Sequence, residues 1–347
     1  MEHNSTQLDP RYTGPVWTLL ILAPFIAEVL SGSTRLSFLF VLIPEVMVWG
    51  VGALLCRELT RRWRAGGTSL LLLGLALSIA EEFVIQQTSL APLPWPGANS
   101  GYGRLWGVNW LYFLFMLGFE SVWVVMVPVQ VVELFFPQRS RQPWLRARSL
   151  VATCVVFCLG SFIAWYSWTQ QALPKKLHVP PYHPPVLTIV IGVMAIVLLI
   201  ALAYALRNFG LSGRDSLRAP LHSGITGLVA AVFGGAWFLL ISLVFVPRPG
   251  IPLWMPMAGG VAWALIAFVI FLRWSASNHW SSMHRWATAF GAALACMAVP
   301  YLSIAGWSLS DLIAEIIFDV LALVGFIMLG RAIRERLCKS SDSAVFS

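Results

Sequence analysis

Residues 186–206 read VLTIVIGVMAIVLLIALAYAL. No charge and no proline interrupts the stretch. As a helix it rises about 30 Å, the thickness of a bilayer's hydrocarbon core. A helix that is apolar on every face is buried in protein or lipid. This stretch is therefore a membrane span, and the chain around it reads the same way. Further apolar runs occur at 15–31, 36–56, 68–87, 107–135, 149–168, 223–246, 253–273, 286–305 and 309–330. Pro-rich breaks at 91–96, 180–185 and 247–252 separate several of them. The expectation is an all-α polytopic transmembrane helical bundle of about ten spans.

Composition excludes the other classes. Of 347 residues, 58% are hydrophobic and 11% are charged, against roughly 25% charged in a soluble domain. Disorder requires the opposite balance. The formal charge of +8 does not imply nucleic acid, because the basic residues cluster between apolar runs, where they set membrane orientation. One set comprises Arg11; Arg57, Arg61, Arg62 and Arg64; Arg139, Arg141, Arg146 and Arg148; Arg207, Arg214 and Arg218; Arg273 and Arg285; and Arg331, Arg334, Arg336 and Lys339. These fall at the N-terminus or after every even-numbered span. The other side holds only Arg35, Arg104, Lys175, Lys176 and Arg248. Both termini are expected in the cytoplasm of a bacterial cell, with the chain in the plasma membrane. A single membrane domain is expected over 1–347, with a polar tail at 1–14 and a cytoplasmic tail at 331–347. The first run lacks a basic flank and reads as a retained span, not a cleaved signal. Five cysteines without a CxxC do not suggest a disulfide framework.

The acids are the informative residues. Glu28, Glu45, Glu81, Glu82, Glu120, Glu133, Glu315 and Asp319 fall inside apolar runs. An acid at the bilayer centre costs about 2.5–3.5 kcal/mol on insertion scales, so it faces the bundle interior or a water cavity. No Lys or Arg lies well inside a run to pair with them. Gly74, Ser78, Glu82 and Gln86 recur every fourth residue, which predicts one polar stripe. Glu81 points about 100° away from Glu82 and suits a different neighbour. Asp311, Glu315 and Asp319 repeat the same spacing, and like charges so placed repel. Glu133, at the end of its span near Arg139, reads as an interface residue. Pro24 and Pro44 lie just before Glu28 and Glu45, where proline frees backbone carbonyls. The candidate proton or cation site thus comprises Glu81, Glu82, Glu120, Glu315, Asp319, Glu45, Glu28 and Gln86.

No histidine lies deep in a span and no HExxH occurs, so no metal site or cofactor is expected. Phosphate-loop and GxSxG patterns are also missing. The segment 88–106 is long for a connection and rich in Pro and Gly, which suits a lid or a re-entrant loop. Arg104 within it is the nearest cation expected for the acids. Trp17, Trp63, Trp106, Trp144, Trp168, Trp254, Trp274, Trp286 and Trp307 lie near run ends, where indoles anchor at the membrane surface.

YGRLWGVNW at 102–110 and VPVQVVELFFP at 127–137, with Glu81-Glu82 upstream, resemble a pattern of uncharacterised bacterial polytopic membrane proteins. That resemblance implies a membrane fold and no activity. Glu81-Glu82 also resembles the first motif of the CPBP family of intramembrane CAAX-processing proteases. There an Arg follows four residues later, where this chain has Gln86, and two later helices carry His, which this chain lacks.

Three functions remain open on the sequence. One is a transporter-like protein with an outward-accessible acidic site for a proton or small cation. Another is a membrane-embedded hydrolase. The third is a structural or assembly protein whose acids join helices. The lipid bilayer is the expected partner in each.

Overall fold

The computed structural model describes residues 13–94, 101–180, 182–209, 220–246, 248, 250–302, 304 and 306–345. They form ten helices: α1 (Gly14–Val29), α2 (Leu36–Arg62), α3 (Gly67–Ile85), α4 (Trp110–Phe135), α5 (Ala147–Lys176), α6 (Val186–Ala205), α7 (Ser223–Phe245), α8 (Trp254–Ser275), α9 (Ser282–Met297) and α10 (Leu309–Val345). Eight are long and apolar enough to cross a membrane. The other two, α1 and α9, are shorter. Residues 331–345, read from the sequence as a tail, continue α10 as helix. Residues 1–12 of the tail expected at 1–14, with Arg11, lie outside the described residues, as do Arg214, Arg218 and 95–100 of the long loop.

The basic clusters converge on one end of the bundle. Trp63 after α2 packs on Tyr204 of α6, and Arg62 donates to the Leu145 carbonyl before α5. Gln130 of α4 donates to the Arg285 carbonyl of α9. His284 of α9 reaches the Leu221 carbonyl before α7. Arg336 of α10 donates to the Leu134 carbonyl of α4. At the other end Ser37 meets Asp311, and Arg35 lies over the Trp307 ring. Among the described residues, the basic segments that end α2, follow α4, begin α9 and lie late in α10 thus meet at one end of the bundle.

Small residues decide the closest crossing. On α7 and α9, Gly227 faces Ala287 and Gly234 faces Ala295. A Cβ on Gly227 would lie 2.8 Å from the Ala287 carbonyl oxygen, and one on Gly291 would strike the Gly227 carbonyl. Without a hydrophobic force between helices in lipid, such close backbone approach is what holds them together. Aromatic rings fill the space beside this crossing, with Trp123 and Phe119 both against Phe238. The indoles there hydrogen-bond to backbone of other helices, Trp123 to Ala292 at 2.8 Å and Trp237 to Phe115 at 3.0 Å.

Helices α5, α6 and α8 bury little surface within the chain, whereas α3 and α4 bury most of theirs. The centre therefore lies where the acids are. Trp17, Trp106 and Trp254 are exposed at helix ends, as surface anchors would be. Trp144 departs from that expectation. It is buried, with the Arg57 guanidinium 3.5 Å from its ring centroid.

Candidate functional site

Five helices interrupt their regular winding with π-helical turns, and four of those turns carry or adjoin intramembrane acids. They are Phe25–Val29 with Glu28, Val46–Gly50 just after Glu45, Glu81–Ile85 with both glutamates, and Glu120–Met126 with Glu120. The fifth, Tyr166–Lys176, contains Pro174. Proline explains part of the pattern. Pro24 and Pro44 precede two of these turns and Pro128 follows a third. A proline nitrogen cannot donate, and its ring collides with the carbonyl four residues back. For Pro128 and Pro174 that carbonyl, on Val124 and Gln170, lies inside a π turn, whose wider winding relieves the collision. Such turns recur at functional sites because they displace side chains from the regular helical register.

The displacement breaks the expected stripe on α3. Gly74 packs on Ser121, and Ser78 donates to the Met116 carbonyl at 3.1 Å, so both face α4. Beyond them the π turn intervenes. Glu82 turns toward the following loop, where Thr88 donates to both of its oxygens at 2.8 Å and Ser89 donates at 2.5 Å. Gln86 is half-buried, and among the described residues its side chain makes no hydrogen bond to the acids.

Five carboxyl groups share the centre. Glu81 lies within electrostatic reach of Glu82, Glu28 and Glu45, and Glu120 within reach of Glu82, Glu81 and Glu28. Thr34 ties two of them together, donating to Glu45 at 2.8 Å and lying 3.4 Å from Glu28. Tyr112 lies within reach of Glu82, Glu120 and Glu28. Glu81 and Glu120 are 1% and 0% exposed. Neither oxygen of Glu81 has a hydrogen-bond partner among the described residues, and Glu120 has at most the Ser78 hydroxyl beside it. No Lys or Arg among those residues forms an ion pair with any of the five.

Glu315 and Asp319 stand apart from these five. The Tyr301 hydroxyl donates to Asp319 at 2.6 Å, and one oxygen of each acid is buried without a partner. Asp311 is held at the start of α10 by the Ser37 backbone amide at 2.9 Å and by the hydroxyls of Ser37 and Ser308.

Glu133 corrects its reading as an interface residue near Arg139. It is buried and receives Arg57 at 3.3 Å, Arg61 at 2.5 Å and Arg285 at 3.2 Å. Arg57, placed in a loop by its sequence neighbours, is inside α2 and fully buried. All five of its N–H donors are used. Beyond Glu133 they reach Glu58 at 3.0 Å and the carbonyls of Gln142, Arg139 and Ser140 at 2.8–3.1 Å. Glu58 also accepts the backbone amides of Trp144 and Leu145. The sequence reading missed Glu58 and this role of Arg57. The adjacent Arg57-Glu58 pair closing an apolar run was the available signal.

Arg104 does not approach the acids, contrary to expectation. It donates to the carbonyls of Leu90 at 2.8 Å, Ala91 at 2.6 Å and Gly107 at 3.0 Å. Partial burial lowers its pKa from the ordinary value, opposed by Tyr182. A two-residue turn at Trp106-Gly107, both with positive φ, carries Arg104–Leu105 back onto Val108–Asn109. The Asn109 amide then donates to the Ser89 carbonyl at 2.8 Å. Residues 87–91 and 93 are buried, so the start of the loop folds into the bundle.

Among the described residues no three His, Cys, Asp or Glu side chains converge as ligands for a metal ion. No match was found among curated proteins or among solved structures, and the resemblance to intramembrane CAAX-processing proteases finds no support. A family model described as an uncharacterized membrane protein family matches residues 18–337. The chain belongs to that family of multi-pass membrane proteins.

Proposed function

We propose that this chain is a transporter-like protein of the bacterial plasma membrane that moves protons through Glu28, Glu45, Glu81, Glu82 and Glu120. One observation carries the reading. Glu81 is a fully buried acid whose oxygens have no hydrogen-bond partner among the described residues, and Glu120, equally buried, has no cation and lies beside the Ser78 hydroxyl. An unpaired buried polar group is expensive, and more so a charge. An acid that served only to join helices would find partners, as Glu58 and Glu133 do. A carboxyl that must accept and release a proton needs free oxygens.

The arrangement favours a proton over a larger cation. A metal ion requires several oxygens converging at about 2.0–2.6 Å, and the acids do not converge in that way. Protons need only neighbouring carboxyls and hydroxyls. Thr34 between Glu28 and Glu45, and Thr88 between Tyr112 and Glu82, supply such links. The arginine end is the cytoplasmic one on the positive-inside rule. The acids then lie toward the other side, beneath the loop that holds Glu82.

The test is proton flux in proteoliposomes. A potassium gradient with valinomycin sets the potential, and an internal pH-sensitive dye reports flux. The expected result is acidification that follows the imposed potential. Dye traces matching protein-free vesicles, from protein shown to be folded, would overturn the proposal.

A further inference from the structure

We infer that α10 supplies the access route, with Asp311, Glu315 and Asp319 passing water-borne protons from the end opposite the arginine network to Glu28. This inference rests on the proposed role of the five central acids.

The three acids lie on one face of α10, four residues apart, so they span about 12 Å along the helix axis. Their surroundings change step by step. Asp311 is held by Ser37 and Ser308 near the bundle's end. Glu315 is 2% exposed, and its Oε1 is buried without a partner. Asp319 is 7% exposed, with Oδ2 on the Tyr301 hydroxyl and Oδ1 buried without a partner. Two buried carboxyls in file, of which only Asp319 has a side-chain donor, are costly as helix glue. They suit a chain of water molecules, which would satisfy those oxygens.

The inner end of the file and the central acids share a neighbour. Cys296 of α9 lies within electrostatic reach of Asp319, Glu315 and Glu28. Its thiol donates to the Ile26 carbonyl, beside Glu28. Phe318, next to Asp319, packs edge-on against Phe25 with ring centroids 6.0 Å apart. Asp319 and Glu28 thus approach the same α1–α9–α10 junction. At the outer end Arg35 lies 4.3 Å over the Trp307 ring and within electrostatic reach of Asp311 and Glu315. A fixed cation there opposes metal ions more than protons, which move along hydrogen bonds.

Accessibility tests the route without relying on transport. The five native cysteines are replaced, and single cysteines are introduced as Asp311→Cys, Glu315→Cys, Tyr301→Cys and Ile316→Cys. Sealed proteoliposomes of known orientation receive a membrane-impermeant methanethiosulfonate reagent. Labelling is expected at Asp311→Cys, Glu315→Cys and Tyr301→Cys from the side opposite Arg64→Cys. Ile316→Cys, on the exposed apolar face of α10, should stay unlabelled because lipid excludes the charged reagent. Absence of labelling at both Glu315→Cys and Tyr301→Cys, with Arg64→Cys labelled, overturns the route. So does labelling of Glu315→Cys no faster than Ile316→Cys. Flux separates the two proposals. Glu315→Gln and Asp319→Asn should each lower proton flux about tenfold. Wild-type flux with no labelling sinks the route alone, and labelling with no wild-type flux sinks the central proposal alone.

Discussion

Helices α2 and α4 each carry two buried acidic positions, and the two positions are treated in opposite ways. Glu58 and Glu133, near one end, are met by Arg57, Arg61, Arg62 and Arg285 and by backbone amides. Glu45 and Glu120, about 18–20 Å away along the same helices, have no cation. The residues have the same chemistry and a similar degree of burial. What differs is whether the fold supplies a cation. Where it does, the acid fixes the structure. Where it does not, structure alone gives no reason for the acid to be there.

Removing one member of the paired group should have the largest effect. Arg57→Met leaves Glu58 and Glu133 short of their central partner, and breaking a buried pair in this way costs about 3–5 kcal/mol. Thermal unfolding in detergent micelles should show a markedly lower midpoint. An unchanged midpoint would erase the distinction between the two regions.

Glu82 is intermediate, since hydroxyls serve it and no cation does. Thr88→Val with Ser89→Ala removes two hydroxyl donors from one carboxyl, Thr88 being shared between its oxygens, and a typical hydrogen bond is worth about 0.5–1.5 kcal/mol. The loss should appear as faster hydrogen exchange over 86–94, with the midpoint changed less than by Arg57→Met. Exchange as slow as in the wild type would show that Glu82 does not hold the loop.

Glu81→Gln removes a carboxyl that has no partner to lose. Proton flux should fall about tenfold with no decrease in the unfolding midpoint. A lowered midpoint with full flux would place Glu81 with the structural acids. The smallest effect is set by a neutral bond between α4 and α9 that involves no acid. Trp123→Phe loses the bond to the Ala292 carbonyl and should cost about 1 kcal/mol of stability with flux unaltered.

The helices were legible because apolar length decides them. The runs 186–206 and 223–246 differ from α6 and α7 by one residue at most. Legibility failed where buried charges pair across sequence. The run 36–56 stops at Arg57, because the arginine cluster that begins there ends an apolar span. The helix continues to Arg62 because Glu133, seventy-six residues away, neutralises it. The intramembrane acids could be picked out by their cost alone. Their grouping could not, since π turns shift α3 and α4 off the four-residue spacing on which the stripe of Ser78, Glu82 and Gln86 depended. Arg104 was misread for a related reason, as its partners are loop carbonyls that no side-chain pattern reveals.

The sharpest test is to watch the carboxyl groups themselves by infrared difference spectroscopy of the reconstituted protein, as the pH is stepped through the physiological range. The unpaired acids should give a protonated-carboxyl C=O band that changes with pH. Glu81→Gln with Glu120→Gln should remove much of that change without lowering the unfolding midpoint. A carboxyl band that does not respond to pH, or one that survives both substitutions intact, would contradict a proton-carrying role for the acids at the centre of this bundle.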